Sequence, residues 1–263
     1  MQRAHHTLRR LGTHSLMASM VLFAAAACSG QSSPAAAPTA TDSPPTAVPE
    51  TSDASYAIIR IPVEANASGG LATAVSRGKR NGQINYALWL DSTQSEKAGF
   101  SSVVVVGFAG ADALSAWRNE AAPELAPPAE VHLADRLYHV ENPGRDSSIA
   151  VFQGNYMEPK VSREDFSRFT EDYMRKYLEL QREAGILTSY SMYLEHEAPA
   201  GSGLAFMIRE HTDQHTFDDR NSTKDRLRDE LMARDADYKK LEDTAIEYRV
   251  HVSGTRARHV PLP

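Results

Sequence analysis

The side chains able to do chemistry in this 263-residue chain fall on a few β-patterned runs. Alternation along a strand sends successive side chains to opposite faces, so each run has a more polar and a more apolar set. In SYSMYLE the polar set is Ser191, Tyr193 and Glu195; in LAFMIREH it ends in Arg209 and His211; in IEYRVHV it is Glu247, Arg249 and His251. SSIAVFQGN adds Gln153 and Asn155, and the earlier part of the chain adds Arg60, Asn85 and Trp89. If helices cover the apolar faces, the polar sets point toward one another, and Asn155, Tyr193, Glu195, Arg209, Glu247, Arg249 and His251 form a candidate pocket. An unpaired ion in a low dielectric costs several kcal/mol, and here two acids match two arginines. The set therefore reads either as a structural ion-pair network or as a ligand pocket. His211 and His215, in HTDQH, carry the imidazoles a divalent metal needs. They lack the His-Glu-x-x-His core of a zinc peptidase and fall where a strand passes into a polar segment, where histidines are commonly just solvated.

Two runs of elements must position those residues. From Ser147 to Val252 the order reads strand, helix, strand, strand, helix, strand. Ser162 stands three residues before Asp165 as a helix cap, Phe166, Phe169, Tyr173, Tyr177 and Leu180 recur at helical spacing, and Gly185 ends that helix. Ser222 or Thr223 opens a last helix with Leu227, Leu231, Tyr238 and Leu241 on a narrow stripe, and residues 246–252 close as a strand. A fainter copy spans 56–140. YAIIRIPV, INYALWL, SSVVVVGFAG and VHLADRLYHV read as its strands and ADALSAWRNEAAPEL as a helix with Leu114 and Trp117 inward. ASGGLATAVSRGKRNG is a weaker helix, since each interior glycine costs about 1 kcal/mol relative to alanine. The folded part thus divides into two βαββαβ units, 54–145 and 146–263.

Ahead of them, residues 1–28 carry Arg3, Arg9 and Arg10 with no acid and then the apolar run LMASMVLFAAAAC, the layout of a secretory signal peptide. Cys28, the single cysteine, closes that run before Ser29-Gly30 and resembles the lipobox cysteine of bacterial lipoproteins, which becomes an acylated N-terminus. Ala25 stands where that pattern prefers leucine, and ordinary signal-peptidase cleavage after Ala25-Ala26-Ala27 is the other reading. By resemblance to lipoprotein sorting patterns, Ser29 implies the outer membrane, facing the periplasm. Residues 29–53 are almost entirely Ala, Pro, Ser and Thr, a composition that cannot offset its ordering entropy and reads as an extended tether. Removal of the signal leaves 25 Lys and Arg against 34 Asp and Glu, a net of −9. That balance argues against nucleic acid, where a basic footprint is expected, and one cysteine allows no intramolecular disulfide.

Two βαββαβ copies, each with a helix after its first and third strands, resemble the dimeric α+β barrel superfamily, which includes stress-responsive A/B barrel proteins and antibiotic-biosynthesis-type and haem-degrading monooxygenases. The resemblance rests on element order and implies a pseudo-dimeric α/β barrel made by one chain, a monomer with pseudo-twofold symmetry. It also implies a monooxygenase as one possible activity, cofactor-independent or haem-dependent. Asn85, Trp89, Trp117 and His139 are of the types haem-degrading members use, but their spacing transfers no role. No Gly-x-Ser-x-Gly elbow, phosphate loop or dinucleotide fingerprint is present. The leading expectation is a lipid-anchored envelope protein that binds a small molecule or a partner, with no cofactor assigned and haem or a divalent metal left open; the alternative is the monooxygenase.

Overall fold

The structure, a computed structural model, describes residues 56–63, 68–93, 100–121, 129–141, 151–196 and 203–262, without the side chains of 151–158, 252 and 253. Cys28 and the tether of 29–53 lie outside the described residues. The first unit consists of β1 (Tyr56–Pro62), α1 (Ser68–Arg80), β2 (Ile84–Ser92), β3 (Phe100–Phe108), α2 (Ala111–Ala121) and β4 (Glu130–Val140). The second has β5 (Val151–Pro159), α3, β6 (Leu187–Glu195), β7 (Ala205–His211), α4 (Gln214–Arg234), α5 (Ala236–Tyr248) and β8 (Arg249–His259). Helix α3 is α-helical over Arg163–Phe169, π-helical over Thr170–Arg175 and α-helical again over Lys176–Glu183.

All eight strands pair antiparallel in one closed barrel of order β1-β3-β2-β8-β5-β7-β6-β4. Each unit contributes the same four-strand order, β4-β1-β3-β2 and β8-β5-β7-β6, and the seams fall at β2–β8 and β4–β6. At the seams Leu90 pairs with His259 and Ser92 with Ala257, while Ala134 pairs with Glu195 and Val140 with Tyr190. The chain is therefore a tandem pair of ferredoxin-like units closed into a pseudo-dimeric α/β barrel. Closure removes the open sheet edges that would otherwise template aggregation.

The copies agree down to a turn. After α1, Gly82 takes φ 72° and Gln83 N–H bonds back to Gly78 O; after α3, Gly185 takes φ 76° and Ile186 N–H bonds back to Gln181 O. Both are left-handed helix ends, which glycine adopts without a Cβ penalty. Gly78, inside α1, has a packing reason to be glycine: a Cβ there would meet Ile84 Cδ1 at 2.5 Å and Trp117 Cδ1 at 2.9 Å. The helix-weakening residue thus makes room for the indole that joins α1 to α2, whose Nε1–H donates to Ala74 O at 3.2 Å.

Three apolar layers result. Leu71, Val75 and Trp117 pack on Ile59, Val104 and Val106 outside the first sheet, and Phe166, Phe169, Leu178 and Leu227 pack on Tyr190, Met192 and Met207 outside the second. Ile58, Leu90, Val103, Val105, Tyr193, Phe206 and Ile208 fill the barrel from both units. Each such side chain contributes roughly 1.5–3 kcal/mol on burial.

Four expectations are corrected. The last helical region starts at Gln214, where the Asp213 carboxylate accepts from Thr216 N–H at 2.7 Å, and it breaks at Asp235, which caps α5. The expected strand at 246–252 begins at Arg249, so Glu247 lies on α5 and is exposed. On β7 the faces are reversed: Phe206 and Ile208 enter the barrel, while Arg209 and His211 lie under the helices. Every residue of β7 is buried, so neither face goes to water and alternation cannot say which points inward. Trp89 is likewise on the helix-covered side, with Leu88 and Leu90 inside.

Candidate functional site at the barrel mouth

The barrel is packed at mid-height and opens at the end where β2 and β6 begin and β4 and β8 finish. A cavity of about 170 Å³ lies there, lined by Tyr86, Ala87 and Leu88 of β2, His139 of β4, Glu141, Ser189 and Ser191 of β6, Ile208 and Glu210 of β7, and His259 of β8. Both units contribute. Strand register explains the gathering: His139 is opposite Ser191, Ser189 opposite Glu210, and His259 opposite the inward Leu90.

Glu210, 9% exposed, accepts from the Ser189 hydroxyl at 3.1 Å. His139 Nε2 lies 3.4 Å from a Glu141 oxygen, and its Nδ1 is buried without a hydrogen-bond partner. Burial, assisted by the charge of Lys79, holds His259 below the ordinary imidazole value, which favours its neutral form. The Tyr86 phenol is raised well above its usual range, first by burial and then by Tyr193 beside it. Beneath the mouth the ring centroids of Tyr56 and Tyr193 are 5.4 Å apart and those of Tyr56 and Tyr86 are 6.4 Å apart, both edge-to-face. The Arg136 guanidinium lies 4.7 Å from the Tyr56 ring and 5.9 Å from that of Tyr86. Gly107 permits this cluster, because a Cβ there would meet Tyr56 Cε1 at 2.7 Å and Tyr86 Cβ at 3.0 Å.

Chemically, the mouth offers carboxylate acceptors, serine hydroxyls that donate or accept, and imidazoles that do either depending on tautomer. Its volume is below the roughly 300 Å³ at which drug-sized pockets begin, so a haem does not fit it. Among the described residues, no three His, Cys, Asp or Glu side chains converge to hold a metal ion. His211 is buried edge-on to Phe217, whereas the His215 side chain is 87% exposed and lies 3.3 Å from Asp219.

The residues expected to share one pocket separate into three places. Tyr193 faces the barrel, fully buried, its hydroxyl beside those of Tyr86 and Ser191 but without a hydrogen bond of good geometry. Glu195 faces the barrel at the opposite end, where it accepts from His132 Nδ1 at 2.9 Å and from Leu204 N–H at 2.8 Å. Burial works to raise that carboxyl, and the His132 contact and the Leu204 amide outweigh it and leave it below the ordinary value. With Arg60 and Glu130 paired at 3.0 Å, this end is an ion-pair closure. Arg209, Arg249 and His251 lie on the helix-covered side, where burial and then the two arginines depress His251. Asn155 pairs in register with Met207 and Gly254, its side chain outside the described residues. The sequence offers His139 for haem chemistry alone and Glu210 only as the carboxylate before His211 in the metal candidate, and it does not single out Glu141, Ser189 or His259. Their signal is weak, since each sits near a strand end and the set is completed only by pairings across the seams, His139 with Ser191 and His259 with Leu90.

No protein-family model and no curated protein sequence matches the chain. Among solved structures, it is similar to a candidate monooxygenase from Fusobacterium nucleatum at 11% identity and TM-score 0.49, covering 79% of this chain and 92% of that one. An anthrone oxidase-like protein follows at 6% identity and TM-score 0.48, covering 81% and 94%. A dye-decolorizing peroxidase from Bacteroides thetaiotaomicron is similar at 8% identity and TM-score 0.44, covering 80% and 94%. At such identities the likeness is one of chain course and carries nothing about activity.

Proposed function

We propose that this chain is an exported protein, anchored in the cell envelope through Cys28, whose barrel mouth binds a small polar molecule bearing amine or hydroxyl donors. The observation that carries the binding half is the mouth cavity, where Glu210, Glu141, His139, His259 and two serine hydroxyls from both units surround an apolar floor of Leu88 and Ile208. Acceptors gathered in one cavity favour a ligand that supplies donors, a hydrogen bond to a charged group contributing roughly 1.5–3 kcal/mol. The anchor half rests on the sequence around Cys28 and on the Pro-rich spacer after it.

Imidazole proton signals of His139 and His259 report directly on the mouth. Titration with a panel of small amines and polyols is expected to move both together for a ligand that binds there, and Glu210→Gln is expected to weaken it about tenfold. Independent responses of the two histidines to every compound would sink the binding reading. Incorporation of an alkynyl fatty acid tests the anchor: label on the parent and none on Cys28→Ser is expected, and equal label on both refutes it. Oxygen uptake in the presence of a mouth ligand would move the assignment from binding to the monooxygenase alternative.

A further inference from the structure

Outside the barrel, beneath α4, the second unit gathers positive charge in an otherwise acidic chain. The Phe217 ring is the hub. The Arg220 guanidinium stands 3.7 Å from its centroid, that of Arg256 4.5 Å, and the His211 ring meets it edge-on at 4.9 Å. Arg209 lies below, 7% exposed on β7, and Lys224 is one turn further along α4. The carboxylates that the described residues place nearby are largely engaged. Asp218 is 3.9 Å from Arg256 and also accepts from Gln214, and Asp225 and Glu242 lie 2.6 Å and 3.8 Å from Arg228.

Two independent features point to a missing anion. His211 is 1% exposed and neither ring nitrogen has a hydrogen-bond partner of good geometry, although the Ile186 backbone stands beside it. Neutral imidazole in that position holds one N–H that an oxyanion could accept. Lys224 is pushed down to about 8, by burial first and then by Arg209, Arg220 and Arg228. Asp225 acts in the opposite direction, and beside Lys224 the Arg220 Nε is buried without a hydrogen-bond partner.

We propose that the space beneath α4 binds a small dianionic oxyanion, phosphate or a phosphate monoester, held by Arg220, Lys224 and Arg256 at the surface with His211 below. The guanidinium fork suits a phosphoryl group bidentately. Partial exposure of Arg220, Lys224 and Arg256 leaves a route from solvent. Arg220 also donates to the Phe217 carbonyl through one nitrogen, which fixes its plane without using the whole fork.

The test uses the purified protein with its lysines reductively ¹³C-methylated, the Lys224 signal being assigned by its loss in Lys224→Arg. At constant ionic strength, inorganic phosphate is expected to raise the Lys224 midpoint by about 1 or more relative to chloride and to raise the melting temperature. Arg220→Gln is expected to weaken phosphate about tenfold. Should that variant fail to fold, the phosphate-dependent melting shift of Lys224→Gln decides, and its loss supports the site. A Lys224 midpoint identical in phosphate and chloride, or a variant that keeps the full phosphate shift, would overturn the proposal.

Discussion

Gly107→Ala tests how the two units are fitted at the mouth. Gly107 pairs with Tyr56 on one side and Tyr86 on the other, and the added methyl would stand 2.7 Å from Tyr56 Cε1, 3.0 Å from Tyr86 Cβ and 3.1 Å from Asn85 Oδ1. Real Cβ contacts do not fall below about 3 Å, so something must move. The Tyr56 ring can swing, but only against Tyr193 at 5.4 Å and Arg136 at 4.7 Å; the Tyr86 Cβ is fixed to its strand. Overpacking of this kind costs about 1–3 kcal/mol, which in a domain of this size lowers the melting temperature by about 2–12 °C. Gly69→Ala is the control. A Cβ at Gly69 meets nothing within 4 Å, and in a helix alanine is favoured over glycine by roughly 0.8–1 kcal/mol, so that variant should melt slightly higher. Urea unfolding and thermal melts followed by tyrosine fluorescence supply both numbers. Equal stability of Gly107→Ala and parent would refute the close approach of Tyr56 and Tyr86 across Gly107.

Other outcomes follow from single residues. His211 is depressed to about 3 from 6.5, by burial first and then by Arg209 and Arg220, so the unfolded chain takes up the proton first. Its contribution is therefore intact above about pH 6.5 and is lost as pH falls toward 3, by up to about 1.4 kcal/mol per pH unit; His211→Phe should flatten the stability curve in that window in denaturant titrations. Ser162→Ala removes the side chain that accepts from Asp165 N–H at 3.1 Å and should cost about 1 kcal/mol in urea unfolding. Tyr193→Phe deletes a buried hydroxyl without a well-formed hydrogen bond and should leave stability unchanged or raise it by up to about 1 kcal/mol; a loss above 2 kcal/mol would mean that the hydroxyl is well bonded.

The fold was legible where local chemistry and long-range packing agree. Ser162 caps α3, Gly185 ends it, and Phe166, Phe169 and Leu178 lie inward. Tyr173 and Tyr177 remain on the same side through the π-helical turn, where Tyr173 stacks on Phe169 at 5.0 Å and on Tyr238 at 4.9 Å. The duplicated strand order was also readable. What could not be read was face and register wherever both sides of a strand are buried. β7 carries Phe206 and Ile208 on one face and Met207 and Arg209 on the other, and Arg209 sits under helices near Tyr177 of α3 and Tyr138 of β4, with the like charges of Arg220 and Arg249 also close. The boundary at Arg249 was missed because IEY continues the amphipathic pattern of α5 while also resembling a strand. The mouth was illegible for a different reason: His139, Glu210 and His259 lie at the ends of three strands and meet only once the barrel closes.

Native mass spectrometry of the full chain extracted from envelope membranes under gentle conditions tests occupancy of the mouth most directly. The account predicts a small non-covalent mass on the parent that disappears on unfolding and is absent from Glu210→Gln purified in the same way. A bare parent chain that also takes up no member of the amine and polyol panel, or an adduct equally present on Glu210→Gln, would contradict it.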